Sequence, residues 1–243
     1  MKIIFSRKGF DSAAGGGASP IVDGRPVSLP IPAGAASSTS YADLGLGELA
    51  AQSSRGKLGP DDLCHHDPMF RDDGTCVFGQ VGAAQTHLAN QNVTLGDVFL
   101  FFGLFREEET GEPHHRIFGF LEIEQIVALG SCEQEERARF AAMHHPHALA
   151  MHGTNDTLYI GQGTTARQAC DGLRLTAPGG PPSLWQRPAW LSKGGLTYHD
   201  REDRWIRGGR LQSVARGQEF VADIGKRQAP TRWLAEILRQ ISE

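Results

Sequence analysis

Several short polar segments of this chain carry side chains able to do chemistry on an anion-bearing ligand. The first, Ser6-Arg7-Lys8-Gly9-Phe10-Asp11-Ser12, sets a hydroxyl, two cations and a carboxylate ahead of Gly15-Gly16-Gly17. Glycine has no Cβ to collide with a ligand, while arginine offers a phosphate or carboxylate a forked donor and lysine a point charge. Ser6, Arg7 and Lys8 are therefore read as substrate-binding residues, and Asp11 as a candidate catalytic carboxylate. The plainer alternative is a polar surface loop in which Asp11 only caps a turn.

Asp67, which precedes Pro68, and Glu219, which ends Arg216-Gly217-Gln218-Glu219, are the other carboxylates set beside a proline, a glycine or a cation. Two such groups brought together can divide acid and base roles by splitting their pKa values. Asp11 or Glu219 is expected as general base or nucleophile, with His65 and Asp67 completing the catalytic candidates. Each also has an ordinary explanation: Asp67 opens an Asx turn, and Glu219 pairs with Arg216. The amides of Gln80 and Gln218 suit recognition of a free or flipped base, because each presents a donor beside an acceptor. Gln85, His87 and Arg216 join them as binding candidates.

The ten histidines include His65-His66, His114-His115 and His144-His145-Pro146-His147. The last group, with Asp67 or Asp97 added, has transition-metal ligand chemistry. Pro146 disrupts the helical i, i+4 spacing that makes familiar zinc motifs predictive, so no metal ligand is assigned, and the sequence leaves the cofactor unknown. Trp185, Trp190, Tyr198 and Trp205 lie among arginines, an arrangement that stacks unpaired bases or simply packs a small second core. Phosphate-loop, dinucleotide-binding and serine-elbow signatures are absent, which disfavours ATP hydrolysis, dehydrogenase and esterase chemistry.

Elements must hold these side chains in place. Ile3-Ile4-Phe5 reads as a strand feeding the first loop, and Val98 to Phe105 as a central strand after the Gly96-Asp97 turn. Arg116 to Val127 alternates after Phe120 and completes an antiparallel hairpin. Further strands are expected at Cys76–Gly79, 156–160, 172–176, 183–185 and 219–221. Helices are expected at Ala83–Asn90, Glu133–Met143 and Thr231–Ile241, the last with an apolar stripe and Thr231 as its cap. Residues 33–63, rich in glycine, alanine and serine, read as a long connection. The fold class is α+β: a single domain over residues 1–243, with a strand-dominated mixed or antiparallel sheet or partial barrel and about three helices. The long hairpin is locally similar to small barrels of the PUA-like type.

A chain of 243 residues with 40% hydrophobic and 21% charged residues is globular, and none of its apolar runs reaches bilayer-spanning length. Its opening lacks a secretory signal, so a cytoplasmic location without membrane partners is expected. Four scattered cysteines indicate reduced thiols rather than a disulfide framework. A net charge of −4 opposes nonspecific coating of nucleic acid, though not a local basic cleft.

Phe5 through Ser12, Leu29-Pro30-Ile31-Pro32, His65 with Asp67-Pro68, and Phe78 through Leu88 together resemble the third of the nucleotide-modification-associated domain families. Gly96 through Gly103, His145 through Ala148, and Arg216 through Val221 extend the resemblance almost to the C-terminus. The resemblance implies bacterial or phage systems that modify DNA bases, a DNA or nucleotide substrate, and other proteins of a DNA-modification operon as partners. The expected function is an enzyme of base or nucleotide modification. The alternatives are a reader that binds a modified base without changing it, and a scaffold.

Overall fold

The computed structural model describes residues 1–34, 37–107, 111–215 and 219–243. Its centre is a curled, mixed, nine-stranded sheet. The main path uses β1 (Lys2–Arg7), β4 (Met69–Phe70), β5 (Thr75–Gln80), β6 (Val98–Arg106), β7 (Pro113–Ala128), β8 (Thr157–Thr165) and β12 (Glu219–Asp223), in the order β12-β1-β6-β7-β8-β5-β4. The short β2 (Ser19–Val22) and β3 (Arg25–Pro26) attach beside β6. β1 runs parallel to β6 and antiparallel to β12, so Ser6 stands opposite Glu219 across 213 positions of sequence. A separate three-stranded sheet joins β9 (Leu184–Gln186), β10 (Trp205–Ile206) and β11 (Arg210–Gln212).

The unbroken apolar run of β6 follows from burial on both faces of the sheet. Val98, Leu100 and Phe102 pack with Ile3, Phe5, Trp185 and Phe220 on one side, whereas Phe99, Phe101 and Phe105 pack with Ile4, Phe78 and Tyr159 on the other. α5 (Gln228–Ser242) closes the first side through Leu234, Ile237 and Ile241. Burial of each such side chain contributes roughly 1.5–3 kcal/mol. That helix begins three residues before Thr231, and the Thr231 hydroxyl donates to the Arg227 carbonyl at 2.8 Å instead of capping an N–H.

α2 (Gly82–Asn90) and α3 (Gln134–Ala142) match the expected helices. The connection over 33–63 also contains α1 (Gly47–Ser54), and α4 (Pro146–Leu149) adds a single turn. α1 escapes the periodicity argument because it has no sustained apolar stripe: Gly47, Ala50 and Ser54 are its buried residues. The segment expected as a strand at 172–176 forms a 3-10 turn at Asp171–Leu173, followed by isolated bridges to Arg116 and Trp185. The tryptophans mostly build core. Trp185 is buried against Phe5 and Phe102, and Trp190 and Trp233 meet at 5.4 Å.

Trp185 Nε1 donates to His115 Nδ1 at 3.0 Å. Burial pushes the His115 imidazole down to about 3, and nearby Arg7 and His114 act in the same direction. Between that value and the ordinary histidine pKa near 6.5, the unfolded chain binds a proton that the folded chain refuses. Stability therefore rises with pH through this window and falls on acidification. This residue alone is expected to cost about 2 kcal/mol between pH 6.5 and pH 5. Urea unfolding at the two pH values checks it: His115→Gln, which keeps an acceptor for Trp185, should reduce the pH dependence by one proton.

Candidate functional site

The ends of β1 and β5, several loops and α4 converge on a cavity of about 700 Å³. That volume falls in the range of small-molecule sites. Arg7 and Lys8 enter from the end of β1, Gln80 from the end of β5, and His65 and Asp67 from the loop before β4. His147 comes from α4 and His152 from the segment after it.

On the cationic wall, Arg7 Nη2 donates to Asp11 Oδ2 at 2.7 Å. Asp11 Oδ1 accepts from the N–H groups of Ala13 and Ala14 at 2.7 and 2.8 Å. Both oxygens of Asp11 are thus engaged, in a turn that fixes the Arg7 guanidinium at the cavity rim. Lys8 is nearly buried, with Nζ 4.3 Å from the centre of the Phe78 ring and 3.3 Å from Glu219 Oε1.

Glu219 lies beneath this wall, 1% exposed. Its Oε1 also accepts a short hydrogen bond from Gln80 Nε2, while Val81 N–H donates to Gln80 Oε1 at 3.1 Å. The Gln80 amide is thereby held in one orientation. Among the described residues, Glu219 Oε2 and the opposing Ser6 Oγ are buried without hydrogen-bond partners. Such atoms are uncommon in folded proteins and collect at functional sites.

A second wall is built from histidines around one carboxylate. Asp67 Oδ1 accepts from Gly79 N–H at 2.9 Å and faces His145 Nε2 at 3.5 Å. Asp67 Oδ2 lies 3.8 Å from both His65 Nε2 and His147 Nε2. Burial would raise this carboxyl group, but the adjacent His145 and His65 rings and the field of His147 hold it well below the usual carboxylate range. His147 is fixed from behind by a short contact between its Nδ1 and Asp156 Oδ1. Asp156 is held in turn by His152 N–H, which donates to Oδ2 at 2.8 Å. The His65, Asp67 and His147 ligand atoms all lie within 4.8 Å of one another, a spread that one ion can span. Burial lowers the His152 and His66 pKa values, which favours their neutral forms.

Of the residues singled out from sequence, Arg7, Lys8, Asp11, His65, Asp67 and Gln80 line the cavity. Ser6 and Glu219 lie just beneath it. Gln85 is buried on α2, where its Oε1 accepts from the Tyr159 hydroxyl at 2.9 Å. His87 meets Thr197 Oγ1 at 3.1 Å and the Tyr198 ring. Neither Gln85 nor His87 lines the cavity. Arg216 and Gln218 lie outside the described residues.

The histidine group expected at 144–147 is split. His144 has φ 61° and turns to Ser38, whose Oγ lies 2.8 Å from its Nδ1, while His145 and His147 face Asp67. Asp97 takes no part, since it accepts from the backbone N–H groups of Lys2 and Thr94. Pro146, read from sequence as an obstacle, opens α4 and so aims His147 inward. Asp156 and His152 were not singled out from sequence, and His147 was weighed there only within the 144–147 group. His65 and Asp67 could be paired from sequence, since residues two apart in extended chain share a face, but no local pattern ties Asp156 or His152 to them.

The family model for nucleotide modification associated domain 3 matches residues 2–223. The chain belongs to this family. The match takes in every residue of both cavity walls and ends at the last residue of β12, before α5. Membership associates the chain with nucleotide modification. Neither the comparison with curated proteins nor that with solved structures returns a match. Among the described residues, no helix is long and apolar enough to cross a membrane.

Proposed function

We propose that the chain is an enzyme that modifies a base, in DNA or in a free nucleotide, and that it acts in the cytoplasm of bacterial or phage-encoded modification systems. The observation that carries this reading is a single cavity lined both by the cations Arg7 and Lys8 and by His65, Asp67 and His147. The cations take the phosphate of the substrate. The Gln80 amide, held by Glu219 and Val81, is placed to read a base edge.

The reactive role belongs to the His65, Asp67 and His147 wall rather than to Asp11 or Glu219. Both Asp11 oxygens are spent on Arg7 and its turn, and Glu219 is sealed behind Lys8 and Gln80. Glu219 therefore acts by positioning Lys8 and Gln80. A pure reader would need the cation wall and the amide, but has no use for a buried carboxylate ringed by imidazoles.

Mass spectrometry of oligonucleotides and mononucleotides after incubation with catalytic amounts of protein tests the reading. The expected result is a changed base mass in wild type that His65→Ala abolishes with folding intact. Binding without any mass change would favour the reader instead.

A further inference from the structure

We propose that His65 Nε2, Asp67 Oδ2 and His147 Nε2 form a binding site for one divalent first-row transition-metal ion. The site lies on the wall assigned above to chemistry. Metal binding itself stands apart from that reading, because it requires no nucleotide.

Three independent features point to an ion. The donor set is two imidazole nitrogens and one carboxylate oxygen, which suits borderline ions such as Zn²⁺, Fe²⁺ or Co²⁺ better than Mg²⁺ or Ca²⁺. The spacing fits. Ligand atoms around a tetrahedral ion at 2.0–2.1 Å stand about 3.3 Å apart, and Asp67 Oδ2 lies 3.8 Å from each imidazole Nε2, so a small inward movement closes the set.

The third feature is the outer layer. A metal-bound histidine characteristically uses its other ring nitrogen on a carboxylate, which fixes its tautomer and direction. His147 does this with Asp156, and Asp156 is itself held by the His152 backbone N–H. Asp67 is prepared in the same way. Gly79 N–H occupies Oδ1 and leaves Oδ2 directed at the two imidazoles. Because His65, Asp67 and His147 all line the cavity, three protein ligands would leave a coordination position open toward it. The ion would supply Lewis acidity at that position.

The test is titration of chelator-treated full-length protein with Co²⁺, followed by visible absorption and by metal content after dialysis. The expected result is one equivalent bound in wild type, with affinity lowered at least a hundredfold in His65→Ala and in His147→Ala. Asp156→Asn should lower it tenfold to a hundredfold. His144→Ala, whose ring faces Ser38, should leave it unchanged. His65 is partly exposed, so its alanine variant is expected to retain the wild-type circular dichroism spectrum.

No stoichiometric Co²⁺ binding to wild type would overturn the proposal, as would wild-type affinity in a folded His65→Ala variant. Loss of nucleotide binding or turnover with Co²⁺ binding intact would strike the nucleotide reading alone. Nucleotide binding without Co²⁺ binding would strike the metal site alone.

Discussion

Lys8→Met is expected to destabilise the protein by about 3–5 kcal/mol, because it strands the Glu219 carboxylate in the interior. Glu219 is 1% exposed, and among the described residues its Oε2 has no partner and its Oε1 meets Lys8 and the Gln80 amide alone. Removing the ammonium leaves a desolvated carboxylate whose one donor among the described residues is the neutral Gln80 amide. The reverse change, Glu219→Gln, should cost far less, since Lys8 lines the cavity and its ammonium can turn to water there. The double variant Lys8→Met/Glu219→Gln should recover most of the loss. Urea unfolding of all four proteins at pH 7 gives the coupling directly. A double variant no more stable than Lys8→Met would refute a charge-based account of this pair.

Gly79→Ala is expected to have the other large effect, although it adds one methyl group. Gly79 lies within β5, paired with Leu158 of β8, so its backbone cannot yield easily. A Cβ there would sit 2.6 Å from His147 Cγ and 2.8 Å from His147 Nε2. The ring is buried and is tied to Asp156, which leaves it no low-cost escape. Overpacking of this kind costs about 1–3 kcal/mol, and it also pushes the imidazole away from Asp67. If the ring is the cause, His147→Ala placed on the Gly79→Ala background should restore stability toward that of His147→Ala alone. Equal thermal midpoints for Gly79→Ala and the double variant would place the strain elsewhere.

Gly79 also marks where the sequence stopped being legible. Its φ is not positive, so no turn signal accompanies it; it is glycine because a ring from a segment nearly seventy positions later lies against the strand. Tertiary approach of that sort leaves no local pattern. The strands around it were legible for the opposite reason. β1, β6 and β7 announce themselves through apolar runs and alternation imposed by burial on the two sheet faces. α5 was legible through its stripe, and α1, without one, was not.

At the site, the cation loop and Gln80 could be picked out because arginine, lysine and amide groups beside glycine are chemically pointed. The division of labour among the carboxylates could not. Whether Asp11 faces a substrate or its own turn depends on hydrogen bonds to Ala13 and Ala14, and whether Glu219 is exposed depends on what covers β12. The proline at 146 misled in an instructive way. It breaks a long helix, but it also starts a short one, and the short one delivers His147 to Asp67.

The account rests on the N-terminal cations meeting the phosphate of a nucleotide in the cavity they share with the histidine wall. Isothermal titration of a nucleoside monophosphate into wild type and Arg7→Gln tests this most directly. The account predicts saturable binding at one site, weakened at least tenfold in Arg7→Gln, a loss of about 1.4 kcal/mol, and weakened similarly when the nucleoside without its phosphate is used. Equal affinity of the two proteins for the monophosphate, or equal affinity of wild type for nucleoside and monophosphate, would contradict it.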